Sequence, residues 1–289
     1  LIYYKLVIAI AMMKRWMLCP LQARFAELDN LPWRQNAKAT FGTCIHEALE
    51  GYNQHGNVDE AIKRFKQTWH EPEILGAGID YWPKFTTYGG LRKRGIEILQ
   101  EYDSHHAWET RTVVATEHKF CVPFGEHTLS GIVDLVEKKK SGRGKNVLRI
   151  VDYKTNSKQP TLMQLRLDIQ FTIYSYASEQ PEFWLGFEND PRYPPMPNGA
   201  NLYEAYKKLP RKAIWYHLWG NKEIDAGDRD DADMMRLYRV CNEIEKAVKN
   251  EIYIPSIGAD SCTWCDYTEE CGIVVPIHAK LHEPIEDTD

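Results

Sequence analysis

Apolar residues recur at intervals of three and four over most of the first third of the chain, which is the period of an amphipathic helix. Helices are predicted over residues 6–28, 40–54, 58–70 and 88–107. Within 6–28, the Cys19-Pro20 step predicts the start of a second short helix, because proline suits a first helical turn.

The pattern changes at residue 112, where short apolar runs replace the helical period. A break at Pro123–Glu126 predicts a β-hairpin, and the nearly continuous apolar run over 147–153 predicts a strand that is covered on both faces. The pattern beyond it predicts one long helix over 160–178, a strand over 213–219 and an amphipathic helix over 229–249.

This order of elements predicts an α/β protein. A single domain is expected over 1–289, because no linker of low complexity divides the chain. Its predicted parts are a helical part (1–110), a sheet core (111–180), an insertion rich in Pro, Asn and Tyr (181–211), a strand, helix and cysteine-containing tail (212–275) and an acidic tail (276–289).

The composition is that of a soluble globular protein, with 43% hydrophobic and 27% charged residues. The apolar run Leu6–Met13 is too short to span a bilayer, and no small-residue cleavage site follows it. Seven cysteines are an odd number and lack a disulfide-like spacing. We therefore expect a cytoplasmic or other intracellular protein without a membrane partner.

Two strand-like runs end in aspartates that are candidate catalytic residues. Gly131-Ile132-Val133-Asp134 is followed eighteen residues later by Asp152-Tyr153-Lys154. Carboxylates from neighbouring strands can converge on one divalent cation, since Mg²⁺ prefers oxygen ligands. Lys154, two residues beyond Asp152 on a strand, points to the same face, where an ammonium can orient water or stabilise charge on a phosphate.

The helix that follows carries Gln170 and Tyr174, which share one face at positions i and i+4. A strand ending in Gly-x-x-Asp, a strand carrying Asp-x-Lys and a helix with Gln-x-x-x-Tyr together resemble the core of PD-(D/E)xK nucleases, in particular the RecB-like branch. Upstream, the segment Phe41–His46 resembles the first motif of that family. The resemblance implies a restriction-endonuclease-like core, a mixed central sheet flanked by helices.

The resemblance also implies roles for these residues. His46, Asp134, Asp152 and the Tyr153 carbonyl would hold Mg²⁺ or Mn²⁺, and Lys154 would assist hydrolysis by metal-activated water. Gln170 and Tyr174 would support the site and contact DNA. Glu117 resembles a further acidic position of the family, but it is equally well explained as a charge at a strand edge.

A second constellation is Cys262-x₂-Cys265-x₅-Cys271 near the C-terminus. Three closely spaced cysteines in a loop-rich tail indicate a metal site, and by ligand type they suit zinc or an iron–sulfur cluster equally. With Cys19 of the upstream Cys-Pro step they resemble the iron–sulfur nucleases, namely AddB-type nuclease domains and small CRISPR-associated exonucleases. That resemblance implies a 4Fe–4S cluster on four cysteines. The remaining Cys44, Cys121 and Cys241 fall at apolar positions and are predicted to be small core residues.

The formal net charge of −5 argues weakly against a protein that coats nucleic acid, but an acidic metal site is compatible with it. Basic residues cluster locally at Lys138, Lys139, Lys140, Arg143 and Lys145, either as a contact for DNA or as a solvated hairpin tip.

These observations predict a metal-dependent deoxyribonuclease. The iron–sulfur relatives imply a single-strand DNA exonuclease in recombination, repair or CRISPR adaptation, and any helicase or recombination partner would be a separate protein. The alternatives are a non-catalytic DNA-binding scaffold of the same fold, an RNA-processing nuclease and a zinc protein without nuclease activity.

Overall fold

The computed structural model describes residues 6–33, 36–70, 87–106, 111–142, 144–185, 202–262 and 265–272. Contacts divide the chain into two compact units, the first comprising Leu1–Val7 with Gln35–Tyr238 and the second Ile8–Arg34 with Arg239–Asp289. Arg143, most of the predicted insertion and the predicted acidic tail lie outside the described residues.

Helices dominate the first third of the described chain, and three consecutive strands follow them. The elements in chain order are β1 (Val7–Ala9), α1 (Ile10–Leu18), α2 (Pro20–Ala23), a π-helical turn (Arg24–Leu28), α3 (Ala37–His55), α4 (Val58–Thr68), α5 (Tyr88–His105), β2 (Arg111–Phe124), β3 (His127–Lys140), β4 (Asn146–Lys154), α6 (Leu162–Leu167), α7 (Ile169–Ala177), α8 (Pro181–Leu185), α9 (Leu202–Tyr206), β5 (Arg211–His217), a 3₁₀ turn (Leu218–Gly220), β6 (Lys222–Asp225), α10 (Asp231–Lys249), α11 (Ala259–Cys262) and α12 (Thr268–Cys271). None of the described helices has the length and apolar character needed to cross a bilayer.

The strands form a six-stranded mixed sheet of order β1-β3-β4-β5-β6, in which β2 also pairs with β3. β2, β3 and β4 are antiparallel neighbours, β4 and β5 run parallel, and β6 returns antiparallel to β5. β4 lies inside the sheet, and its residues Val147–Tyr153 are all buried, as its apolar run predicted.

Helices α3, α4 and α5 supply the core that covers one face of this sheet. Leu135, Val151 and Tyr153 contribute to that core from the strands. Asp134 and Asp152 alternate with these residues along the strands and are not part of this core.

The second unit brings the N-terminal helices together with the C-terminal segment. The Trp16 and Tyr253 rings meet edge to face at 5.9 Å between centroids, and those of Phe25 and Tyr267 lie 5.8 Å apart. The Tyr267 hydroxyl donates to the Leu31 carbonyl at 3.2 Å. Residues more than two hundred positions apart in the sequence thus pack within one unit.

Three predictions about elements are wrong. The predicted helix over 160–178 is two helices, α6 and α7, separated at Asp168, whose backbone is extended there with φ −67° and ψ 114°. The segment 6–28 begins with the strand β1 rather than with a helix. Asp134 lies in the middle of β3 rather than at its end. The short edge strand β6 was not predicted, because four residues are too few to show a period.

Candidate active site

The two predicted carboxylates lie where β3 and β4 part. Ladder pairing between these strands runs from Lys140–Asn146 to Leu135–Val151 and ends there. Asp134 and Asp152 are the next residues on each strand, and the Tyr153 amide donates to Asp134 Oδ2 at 2.5 Å instead of to a ladder carbonyl. The fork between the strands therefore places both carboxyl groups together, at 9% and 2% exposure of their residues.

Helix α3 brings His46 to this fork. The helix begins at a capping Asn36, whose side chain accepts from the Ala39 amide at 2.9 Å. Gly42 lets the helix approach the end of β4 closely, since a Cβ there would lie 3.0 Å from Thr155 Oγ1. His46 Nδ1 lies 3.4 Å from Asp134 Oδ1. The structure thus joins the predicted first motif to the first carboxylate.

Glu117 joins the same cluster. The register passes from Thr116 opposite Leu135 to His118 opposite Val133, which sets Glu117 beside Asp134. Its ligand oxygen, one from Asp134 and a nitrogen of His46 all lie within 4.8 Å of one another. Glu117 also has φ +44°, a left-handed conformation that is costly for a non-glycine residue and that concentrates at functional sites. Its spacing in the sequence left it equally well explained as a strand-edge charge.

The second carboxylate is held from two sides. Lys154 Nζ lies 2.5 Å from Asp152 Oδ2. Gln170 Nε2 donates to Asp152 Oδ1 at 2.7 Å and lies at the same distance from the Tyr174 hydroxyl. Tyr174 donates to the Ile132 carbonyl at 2.6 Å, which ties α7 to β3. The predicted Gln-x-x-x-Tyr face therefore contacts both strands of the fork.

Electrostatic coupling sets the protonation of these groups. Burial acts to lower the pKa of His46, but the charge and hydrogen bond of Asp134 raise it overall. Burial opposes ionisation of Asp134, yet nearby His46 and Lys154 keep the pKa of Asp134 below its ordinary value. Burial also acts against charged Lys154, while Asp152 and Asp134 raise its pKa. Asp134 is therefore a carboxylate and Lys154 an ammonium near neutral pH.

The family model of the PD-(D/E)XK nuclease superfamily matches residues 12–272, which is most of the chain. This protein belongs to the PD-(D/E)XK nuclease superfamily. The mixed sheet flanked by helices agrees with the fold of that superfamily, so the predicted fold class is confirmed. Membership indicates a nuclease that acts on phosphodiester bonds.

Other comparisons add little. No curated protein matches this chain. Among solved structures, one titled "Crystal structure of SSO0001" is similar over 94% of this chain and 88% of its own, at 10% sequence identity and a TM-score of 0.38. A similarity at that level carries no argument about function.

The donor set at the fork fits the divalent cation that nucleases of this superfamily use. His46, Glu117 and Asp134 offer one nitrogen and two carboxylate oxygens to a common point. Hard cations such as Mg²⁺ and Mn²⁺ prefer oxygen ligands and accept imidazole less readily, so the carboxylates would carry most of the binding. Among the described residues this group of ligand atoms does not include Asp152, so ligation by Asp152 and by the Tyr153 carbonyl stays a prediction.

The predicted basic stretch lies at the other end of the β3–β4 hairpin. Lys138 and Lys140 follow Asp134 on β3 by four and six residues, so they lie about 13 to 20 Å from it along the strand. Lys139 Nζ is 3.6 Å from Glu223 Oε1. A nucleic-acid strand would have to extend over several nucleotides to reach both this stretch and the fork, and the DNA contact stays a prediction.

The four predicted cluster cysteines line one small cavity of the second unit. Cys19, Cys262, Cys265 and Cys271 form its wall together with Pro255, Ser256, Ile257, Ser261 and Thr268. The Ser256 amide points at Cys19 Sγ at 3.4 Å. All four are free thiols. The structure thus brings Cys19 to the cavity that the three C-terminal cysteines line, and metal binding by these four residues stays a prediction.

The other cysteines divide into two kinds. Cys44 and Cys241 are buried, as predicted. Cys121 is exposed, so its prediction as a core residue is wrong. It alternates on β2 with buried Phe120 and Val122, whose side chains take the core face of the strand.

Proposed function

We propose that this protein is a metal-dependent deoxyribonuclease of the RecB-like branch that hydrolyses phosphodiester bonds at the fork of β3 and β4. The proposal rests on one observation, the meeting of His46, Asp134, Asp152 and Lys154 at that fork. A structural ion pair does not need a histidine, two carboxylates from diverging strands and a lysine at one point.

Each residue has a chemical task in this proposal. Asp134, with His46 and Glu117, would bind Mg²⁺ or Mn²⁺, and Asp152 would complete the oxygen ligands from β4. A cation bound there lowers the pKa of water and offsets negative charge on the reacting phosphate. The Lys154 ammonium, next to Asp152 Oδ2, can donate to a phosphate oxygen or orient the attacking water.

The proposed substrate is single-stranded DNA, cut from an end, in recombination, repair or CRISPR adaptation inside the cell. The resemblance to iron–sulfur exonucleases supports this narrower function, with Gln170 and Tyr174 at the site and Lys138, Lys139 and Lys140 along the hairpin as candidate DNA contacts. Any helicase or recombination partner would be a separate protein.

We further propose that Cys19, Cys262, Cys265 and Cys271 hold a 4Fe–4S cluster, with zinc as the alternative. The support is their common cavity and their position on both ends of the chain within one unit. Ligation of a metal can contribute folding free energy on the order of 10 kcal/mol, which would hold a loop-rich segment in place.

The nuclease proposal is tested by cleavage of end-labelled single-stranded DNA, duplex DNA and RNA by anaerobically purified protein with Mn²⁺. Degradation of single-stranded DNA is expected for the parent and is expected to be lost in Asp134→Asn and Lys154→Ala. Lys63→Ala is the matched control, since Lys63 is an exposed lysine on α4 that pairs with Glu60. It should cut like the parent.

The outcomes separate the alternatives. Cleavage of RNA alone would favour the RNA-processing nuclease. Binding of DNA without cleavage, with Mn²⁺ and in a repeat with Mg²⁺, would favour a non-catalytic scaffold. Degradation that survives Asp134→Asn would contradict the assignment of the site.

The cluster proposal has its own test. We expect about four iron atoms per chain and a visible absorption band, both lost in Cys265→Ser but kept in Cys121→Ser. One zinc ion per chain and no visible colour would establish the alternative.

A further inference from the structure

A helix break lies beside the site. Apolar periodicity predicts one helix over 160–178, yet α6 ends at Leu167 and α7 begins at Ile169. Asp168 is the C-cap residue of α6 and the N-cap residue of α7. A break leaves amides of the second helix and carbonyls of the first without partners inside their own helix, so these groups need other hydrogen bonds.

The Asp168 side chain makes one of these hydrogen bonds. Its Oδ1 accepts from the Gln170 backbone amide at 3.0 Å and so caps α7. The side chain of the same Gln170 donates to Asp152 Oδ1 at 2.7 Å. One turn further, Tyr174 donates to the Ile132 carbonyl. The cap therefore sets the start of α7 at the residue that holds the second carboxylate.

Helix α6, which precedes the break, is held in place by its own hydrogen bonds. Thr161 and Gln164 form a capping box at the start of α6. Arg229 Nη2 donates to the Leu165 carbonyl at 2.9 Å, and Arg166 Nη2 pairs with Asp230 at 3.0 Å. Because α6 is held independently, Asp168 acts as a fixed corner from which α7 departs towards the fork.

We propose that Asp168 is a positioning residue of the active site, which caps α7 and thereby holds Gln170 in the orientation that fixes Asp152. This inference rests on the proposed nuclease function. With Oδ1 of Asp152 taken by Gln170, the carboxylate is turned so that Oδ2 faces Lys154. Loss of the cap would let the first turn of α7 fray and free Asp152 to rotate.

A competing role for Asp168 is its negative charge, since it is one of the groups that raise the pKa of Lys154. Asparagine separates the two roles, because it caps a helix as well as aspartate and carries no charge. Asp168→Ala removes both the cap and the charge. Asp168→Asn therefore is the rescue variant.

The matched control removes an equivalent cap elsewhere. Asn57 caps α4 by accepting from the Glu60 amide at 3.0 Å, and α4 carries none of the site residues. Asn57→Ala should lower the urea midpoint of unfolding about as much as Asp168→Ala does. It should leave cleavage and metal affinity unchanged.

The experiment measures single-turnover cleavage and Mn²⁺ binding by paramagnetic resonance for the parent, Asp168→Ala, Asp168→Asn and Asn57→Ala. Residues that orient metal ligands typically change metal affinity or activity by about 10- to 100-fold, so Asp168→Ala should weaken both by about tenfold. Asp168→Asn should stay within about twofold of the parent.

Two results would overturn the proposal: parental metal affinity and cleavage in Asp168→Ala, or an Asp168→Asn variant as impaired as Asp168→Ala. A parent that binds Mn²⁺ but cuts no DNA would reject the nuclease function. The metal-affinity comparison would still decide the role of Asp168.

Discussion

Gly95 lies on α5 against the ring of Phe65, and Gly95→Ala is expected to destabilise the protein. A Cβ at this position would lie 2.1 Å from Phe65 Cζ and 2.5 Å from Cε1. Phe65 is fully buried, and its ring meets that of Phe41 edge to face at 6.0 Å between centroids. The aromatic ring therefore has little room to move away.

The magnitude follows from that contact. Carbon atoms in favourable contact lie about 3.5 to 4.0 Å apart, so the Phe65 ring would have to shift by roughly 1.5 Å. Overpacking of a core costs about 1–3 kcal/mol, and the short distance places this substitution at the upper end. Alanine in a helix recovers about 1 kcal/mol relative to glycine. The net loss in the free energy of unfolding is expected to be about 2 kcal/mol.

Urea unfolding of Gly95→Ala beside Gly89→Ala measures this directly. Gly89 lies on the same helix and is exposed, and a Cβ there would meet no atom within 4 Å. Gly89→Ala should therefore stabilise by about 0.5 kcal/mol. Phe65→Leu should recover part of the loss when combined with Gly95→Ala, since the two residues are in contact. Stabilisation by both alanine variants would refute the argument from packing.

Three further predictions concern buried charges and the site. Burial lowers the pKa of His106 to about 3, below its ordinary value of about 6.5. Because the folded protein resists protonation of this imidazole, the free energy of unfolding is highest above a pH of about 6.5 and falls as the pH drops towards 3. Through His106 the parent should lose about 2 kcal/mol between pH 7 and 5, and His106→Gln should not lose this amount. Glu137→Ala removes the buried carboxylate that pairs with Arg111 at 3.0 Å and with Arg149 at 3.2 Å, and it should lower the free energy of unfolding by about 3–5 kcal/mol; urea unfolding near the parental value would contradict this. Glu117→Gln should weaken calorimetrically measured Mn²⁺ binding by about tenfold, and unchanged affinity would remove Glu117 from the proposed ligand set.

Local patterns were sufficient for much of the fold. α3, α4, α5 and the β2–β3 hairpin were predicted to within a few residues, because each carries a clear period over ten residues or more. The shared face of Gln170 and Tyr174 follows from helical spacing alone, and the structure has their side chains in contact at 2.7 Å. Spacing and resemblance likewise predicted that four cysteines belong to one site, and the four line one cavity.

The details of the site depended on contacts between residues far apart in the sequence. Separation of β3 from β4 beyond Leu135 and Val151 decides that Asp134 and Asp152 meet, although Asp134 lies in mid-strand. The break at Asp168 interrupts a helical period that is locally intact. The sequence left Glu117 open between an acidic site position and a strand-edge charge, and its register beside Asp134 favours the former. Periodicity along the chain determines which elements form, whereas strand pairing and helix docking decide which of their side chains converge, because those contacts join residues that no local pattern relates.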